Sequence, residues 1–374
     1  MPKRIFILAG EPSGDLHGSN LVKELFDAQP DLIIKCWGGD RMEKEGAVVL
    51  KHVNDLAFMG FIEVAANLSS ILNNFKTCKL QIEDFQPDLV VFIDYPGFNL
   101  RMAKFVSNLN IPSAYYISPQ IWAWKESRVK KIKRFIDHVF VILPFEKDFY
   151  AKHGIDARFV GHPLLDELNA LEIDQDGFRK KFNLSDSPII AVLPGSRTQE
   201  IRKILPLIRH VQGAFPIHQV VVSKVKWQSE SLYEDAQQHG ITILEGSTYE
   251  LLANSDAAIV TSGTATLETA LLNTPQVVVY KGNWFSITIA RMLVKIKFIS
   301  LVNLVLDKEA VKELIQGDAN SINIIRELEK IVTGGKKRSA LLDDYNQLAH
   351  KLGGKGASKI VASELLKILD SKKN

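Results

Sequence analysis

The chain has 374 residues, too many for one ordinary hydrophobic core, and so points to two domains. At 46% hydrophobic and 24% charged it has the composition of a soluble globular protein, and a net charge of +3 gives no ground for wholesale nucleic-acid binding. Its two cysteines, Cys36 and Cys78, make neither a metal-ligand spacing nor a disulfide framework, which fits a reduced, cytoplasmic compartment.

Short apolar runs alternate with amphipathic stretches along the chain. The start, MPKRIFILAGEPSGD, is basic, but its apolar run is too short for a signal peptide and no cleavage site follows. RIFILA (4–9) reads as a strand and 15–28 as a helix. LIIKCW (32–37), DLVVFID (88–94), IPSAYYIS (111–118), HVFVIL (138–143) and ARFVG (157–161) read as further strands. These β-branched runs suit strands buried on both faces, as in a parallel sheet. The rhythm breaks over 161–187, which reads as an interdomain connection. It restarts with PIIAVLPG (188–195), a helix over 199–214, HQVVVS (218–223), ITILEG (241–246), DAAIVTS (256–262) and PQVVVY (275–280), then a helix-rich tail. The expected fold is α/β, with two doubly wound Rossmann-like domains, 1–165 and 185–350, facing each other across a cleft. No apolar run reaches the length of a spanning helix, so the chain is expected to be soluble or to lie on a membrane without crossing it.

Ligands in open α/β sheets bind beyond the carboxyl ends of the strands, and the unusual stretches fall there. AGEPSGDLHG (9–18) lacks the dinucleotide glycine spacing, and Glu11 and Asp15 would repel a pyrophosphate, so a sugar or hydroxyl ligand suits it better. The plainer reading is a strand-to-helix turn capped by Ser13 or Asp15. In FIDYPGFNL (92–100), Asp94 ends a buried strand, where desolvation would raise its pKa towards that of a general base. ISPQIWAWKESRVKKIKRF (117–135) reads as core tryptophans and a solvated basic face, with an anionic lipid surface as the alternative. In VGHPLLDEL, His162 stands at a hinge, either as a structural residue or lining the cleft.

In LPGSRTQEI (193–201), Arg197 projects from a Pro-Gly-Ser turn and can fork onto a diphosphate. In TSGTATLE (261–268), the turn amides with Ser262, Gly263 and Thr264 form an anion site, and Glu268 stands one turn further on, suited to ribose hydroxyls. Carboxylates in the first half and phosphate donors in the second suggest glycosyl transfer from a nucleotide sugar, with no metal cluster in evidence.

AGEPSGDLHG, IDYPGFNL, SPQIWAWKESRV, VGHPL, LPGSRTQEI and TSGTATLE, in this order, resemble the lipid-A-disaccharide synthases along nearly the whole chain. The resemblance implies a GT-B inverting glycosyltransferase that joins UDP-2,3-diacylglucosamine to 2,3-diacylglucosamine 1-phosphate. The products would be a β-1,6-linked disaccharide 1-phosphate, early in lipid A biosynthesis, and UDP. It implies no cofactor and no metal in the chemical step, and work at the inner face of the bacterial cytoplasmic membrane. Carried over, Asp94 or Glu11 is the base, Arg197, Ser262, Gly263 and Thr264 contact the diphosphate, and Glu268 contacts ribose. Asn303 in SLVN and Glu313 in AVKELIQ fall in a later stretch near the nucleotide; the family more often has proline where Val302 stands. By analogy with GT-B proteins, a helix at about 356–370 is expected to pack back on the first domain.

Acyl chains need an apolar surface. LAFMGFIEVAANLSSIL (56–72) offers Phe58, Met59, Phe61 and Ile62, although a buried helix explains it equally. FSITIARMLVKIKFISLV (285–302) adds Arg291, Lys295 and Lys297, a combination suited to an anionic membrane. No nucleic-acid partner is expected, and a homodimer stays open. The alternatives are a UDP-sugar 2-epimerase of the same architecture, which needs no lipid surface, and a non-catalytic UDP-sugar or lipid-binding protein, which needs no Asp94.

Overall fold

The computed structural model describes residues 2–56, 68–124, 128–169, 171, 173–282 and 297–371. The chain divides into two compact units, Met1–Asp166 with Gly353–Asn374, and Glu167–Leu352.

The first unit is built on seven parallel strands: β1 (Arg4–Ala9), β2 (Ile33–Gly38), β3 (Val48–His52), β4 (Leu89–Ile93), β5 (Ser113–Tyr116), β6 (His138–Val141) and β7 (Ala157–Phe159). Their order is β3-β2-β1-β4-β5-β6-β7. The chain starts in the middle of the sheet, winds out to one edge, returns beside β1 and winds out to the other. Alternate residues of each strand feed two cores, because successive side chains point to opposite faces. Ile5, Ile7 and Ala9 pack with Leu21 and Leu25 of the helix Pro12–Ala28 and with Leu365 and Leu369 of the last helix, Ala357–Ser371. Phe6 and Leu8 pack on the other face with Ile82, Phe98 and Val106.

The second unit repeats the plan with β8 (Ile189–Leu193), β9 (Gln219–Lys224), β10 (Thr242–Glu245), β11 (Ala257–Thr261), β12 (Gln276–Tyr280) and β13 (Lys312–Ile315). All are parallel, in the order β10-β9-β8-β11-β12-β13. Here the direction of winding reverses between β8 and β11, which pair in the register Val260↔Leu193.

Three local expectations need correction. The first helix begins at Pro12, with Glu11 as its N-cap residue and no side-chain cap. Asp15 caps the neighbouring helix Asp40–Lys44 instead, accepting from the amides of Gly39 (2.6 Å), Arg41 and Met42 (both 3.2 Å). The helix expected over 199–214 is two, Thr198–Ile208 and Val211–Ala214; Pro206 in the last turn of the first has no N–H to continue the ladder. β3 and β13 are strands beyond those expected, β3 starting on the short apolar run AVVL (47–50) and β13 reading KELI, and both are edges of their sheets.

Candidate active site

In the first sheet the winding reverses between β1 and β4, and the loops leaving these two strands carry Glu11 and Asp94. The register Ala9↔Ile93 sets the two strand ends level. Asp94 and Tyr95 both take left-handed backbone conformations, φ 42° and 47°. Such residues cost on the order of 1–3 kcal/mol each and persist only where their surroundings hold them. The holding groups are in place. Asn99 donates Nδ2 to the carbonyls of Asp94 (2.7 Å), Ile93 (3.2 Å) and Leu8 (3.3 Å), and the Tyr115 hydroxyl donates to the Asp94 carbonyl at 2.6 Å. Gly10 leaves the Tyr95 ring the space that any Cβ there would fill. The Asn99 and Tyr115 bonds grip the Asp94 main chain and leave its carboxyl out of the clamp. Burial, helped by the Glu11 charge and opposed by the Tyr95 amide, pushes that carboxyl up to about 6. Glu11 itself is exposed.

His162 is buried, and its Nδ1 accepts from the Leu164 amide at 3.2 Å, which leaves the ring hydrogen on Nε2. Burial first, and then His17, pushes it down to about 3, so the ring is neutral at physiological pH. Trp122 donates Nε1 to Glu146 at 3.0 Å, inside the same unit. The basic run after it forms the helix Val129–Phe135, with Val129 and Ile132 buried and Lys130, Lys131, Lys133 and Arg134 exposed.

In the second sheet the loops at the reversal point, after β8 and β11, carry Arg197 and Ser262–Thr264. Gly195 takes φ +99°, and Glu200 packs where its Cβ would stand, so both backbone and space exclude a larger residue. Glu200 accepts from the Arg197 amide at 3.3 Å and pairs with its guanidinium at 3.6 Å. The Arg197 side chain is nonetheless 83% exposed and able to reach a ligand.

Gly263, at φ +154°, has open space where a Cβ would stand, so a ligand can approach its backbone. Thr264 is exposed and is the N-cap residue of the helix Ala265–Leu271. Ser262 donates Oγ to the Ile299 carbonyl at 2.9 Å, and Thr266 is buried and returns its hydroxyl to Gly263. Glu268 is pushed up to about 7 by burial, with Glu167 adding to the rise.

Asn303 and Glu313 stand behind this turn. Asn303 is fully buried and binds the carbonyl of Val311, the amides of Ala310 and Val311, and the Glu313 carboxylate. Glu313 accepts from the amides of Ile299 (3.0 Å) and Ser300 (2.9 Å). The two residues therefore hold the segment that Ser262 leans on, a supporting role that the motifs alone did not reveal.

Lys297 is exposed and pairs with Asp307 at 2.9 Å. Phe58, Met59, Phe61, Ile62, Arg291 and Lys295 lie outside the described residues. Among the described residues, no group of three or more His, Cys, Asp or Glu side chains could hold a metal ion. No helix among them is long and apolar enough to cross a membrane.

The chain matches the lipid-A-disaccharide synthetase family over residues 5–365. It is 38% identical to the lipid-A-disaccharide synthase of Syntrophus aciditrophicus, over 98% of both chains. Among solved structures, a UDP-GlcNAc 2-epimerase from Neisseria meningitidis bound to UDP-GlcNAc superposes with TM-score 0.69 at 14% identity, over 97% of this chain and all of the other. The calicheamicin glycosyltransferase CalG4 gives 0.59 at 15%, over the whole of both. The two-domain GT-B fold is thus common to an epimerase and a glycosyltransferase, and the fold cannot choose between them. The sequence relatives can.

Proposed function

The chain belongs to the lipid-A-disaccharide synthase family, and from that premise we propose that it joins UDP-2,3-diacylglucosamine to 2,3-diacylglucosamine 1-phosphate. The observation that carries the reading is the division of chemistry between the two sheets. At its reversal point the first sheet holds a carboxyl with a raised pKa on a clamped backbone. The second holds an exposed guanidinium and an open glycine turn.

In this reading Asp94 is the general base. Its carboxylate takes the proton of the acceptor 6-hydroxyl as that oxygen attacks the anomeric carbon of the donor. The bond from that carbon to the diphosphate oxygen breaks, and UDP leaves with the electron pair. A single displacement inverts the anomeric centre and passes through a transition state of oxocarbenium character. Arg197 and the amides of Gly263 and Thr264 receive the charge that develops on the diphosphate, where preorganised donors are most effective. Ser262, steadied through Ile299 by Glu313 and Asn303, shapes that turn. Glu268 accepts the ribose hydroxyls. Glu11, exposed beside Asp94, holds the acceptor sugar and keeps the base weakly acidic. His162, neutral and buried, takes no part in the proton transfer.

Both substrates carry acyl chains, so we place the reaction on the anionic inner face of the bacterial cytoplasmic membrane. Charge reversal at Arg291, Lys295 and Lys297 should weaken binding to anionic liposomes; unchanged binding removes that stretch from the membrane contact.

The deciding experiment mixes the purified protein with both substrates in detergent and reads products by mass spectrometry. Tetraacyl disaccharide 1-phosphate with free UDP is the expected result. UDP binding without disaccharide would overturn the acceptor assignment and favour an epimerase.

A further inference from the structure

We infer that Trp227 is the stacking platform for the nucleobase of the donor. The inference rests on the nucleotide-site reading above and extends it to a residue outside the motifs. Strand β9 lies between β8 and β10, so the loop leaving β9 stands next to the Arg197 loop at the ligand-binding end of the sheet. The two loops are tied together. Gln228 donates Nε2 to the Ser196 carbonyl at 2.9 Å and accepts from the Thr198 hydroxyl at 3.1 Å, gripping the chain on both sides of Arg197.

The β9 loop is also held from within. The Gln228 amide closes a turn onto the Val225 carbonyl at 3.1 Å. At its root Lys224 is buried and paired with Glu230 and Glu245, and Tyr233 beyond it is fully buried. At the tip of this braced loop the Trp227 side chain is 65% exposed, whereas Trp37 in the first unit is 1% exposed. An exposed indole on a loop fixed at three points is not a loose surface residue. The backbone that carries it is braced, so ordering this loop on a ligand costs little entropy.

The direction of the nucleotide follows from its other contacts. Glu268 lies near Glu167, which accepts the Tyr249 hydroxyl at 3.2 Å. Tyr249 belongs to the helix Thr248–Ala253 that follows β10. The ribose carboxylate therefore faces the β10 side of the sheet. On the β12 side, buried Asn303 and half-buried Glu313 hold backbone groups. A nucleotide held by its diphosphate between β8 and β11 would, in this inference, run its base towards β9 and β10, on the side of the Trp227 loop. Base stacking on an aromatic ring is tolerant of base identity, so the platform contributes affinity and orientation more than discrimination.

The test titrates the full chain with UDP and with inorganic pyrophosphate, for wild type, Trp227→Ala, Trp227→Phe and Arg197→Ala. Trp227→Ala should raise the Kd for UDP roughly tenfold to a hundredfold, the range expected for loss of one stacked base. Trp227→Phe should recover most of that loss, and neither should change pyrophosphate binding. UDP binding to Trp227→Ala at wild-type strength would overturn the inference. So would equal weakening of UDP and pyrophosphate, which marks damage to the Arg197 loop. Loss of binding to anionic vesicles with UDP affinity intact would overturn it too and assign the indole to a membrane. If Arg197→Ala weakens UDP and Trp227→Ala does not, only the stacking role fails. If neither does, the nucleotide site itself is misplaced.

Discussion

Replacing Asp94 by Asn separates catalysis from stability. The substitution keeps size and shape, and every clamp on residue 94 grips its main chain: Asn99 and Tyr115 both hold its carbonyl oxygen. Asn also tolerates the left-handed backbone at φ 42° better than most residues. The carboxyl, by contrast, titrates at about 6 in the fold against 3.8 as its ordinary value. The folded protein therefore holds this proton more tightly than the unfolded chain. As pH rises from about 4 to 6, ionisation costs the fold something the unfolded chain does not lose. A shift of about two units corresponds to roughly 3 kcal/mol at neutral pH, an upper figure for a partly accessible group. Asp94→Asn should remove most of this penalty. It should raise the stability of the protein at pH 7.5 by an amount on the order of 1–3 kcal/mol, and change it little at pH 4.

Activity should move the other way. Loss of a general base costs about 10²–10⁴-fold in kcat. The wild-type kcat/KM should fall as pH drops through about 6, because the protonated carboxyl cannot accept the hydroxyl proton. Urea melts at the two pH values, with initial rates on the same preparations, measure both effects. A variant that is inactive and also less stable at pH 7.5 would refute the reasoning, since it would make the carboxylate a structural anchor. A variant with near wild-type kcat would transfer the role of base to Glu11.

Other perturbations probe the second unit. Arg197→Ala should lower kcat about 10²–10³-fold, the usual cost of one donor to a developing anion, without lowering Tm, because the side chain is exposed. Gly195→Ala meets both φ +99° and Glu200; it should cost on the order of 1–3 kcal/mol in a denaturant melt and disturb donor KM more than acceptor KM. Glu268 holds its proton up to about pH 7, so UDP affinity should weaken as pH falls below 7, and Glu268→Gln should flatten that dependence in a calorimetric titration. Glu313→Ala strands the amides of Ile299 and Ser300 and should destabilise by about 2–5 kcal/mol in thermal melts, while Ser262→Ala, which loses a single hydrogen bond, should cost about 1 kcal/mol.

The central strands were legible because each is buried on both faces and reads as an unbroken apolar run: RIFILA, LVVFI, IIAVL, AAIVT. The edges were not. β3 is half-exposed, with Val48 51% accessible, and its apolar run AVVL is short and followed by Lys51 and His52, while β13 reads KELI and has no apolar run at all. Asp94 stood out because a carboxyl directly after a buried strand is conspicuous, Arg197 because it projects from a Pro-Gly-Ser turn, and Glu268 because it stands one helical turn beyond the Ser262–Thr264 turn. Asn303 and Glu313 could be placed near the nucleotide only by resemblance; that they brace the Ser262 turn depends on contacts across 14 residues of chain, as in Glu313 to Ile299. Trp227 escaped notice for a related reason. An isolated aromatic in a polar loop reads as chance exposure until the Gln228 tether to Ser196 shows how firmly it is held.

The same strand order places both sites, and the loop residues at each give them opposite chemistry. At a reversal point two neighbouring strands send their connections to opposite faces of the sheet, and the loops between them are left open to a ligand. Each unit has one such point: Asp94 and Glu11 stand at the first, and the Arg197 guanidinium with its partner Glu200 at the second. The proposed base demands this separation. Asp94 keeps a pKa near 6 because it is desolvated and has Glu11 for a neighbour. A guanidinium within about 4–6 Å of the same carboxyl would pull its pKa down by about 1–3 units, and with it the basicity that proton abstraction needs. Arg197 has the reverse requirement, since a second free carboxylate beside it would compete with the diphosphate for its donors. Glu200, which already pairs with it at 3.6 Å, is tied to the Arg197 amide and leaves the side chain 83% exposed. Housing base and leaving-group donor on separate sheets lets each hold the electrostatic environment its step requires.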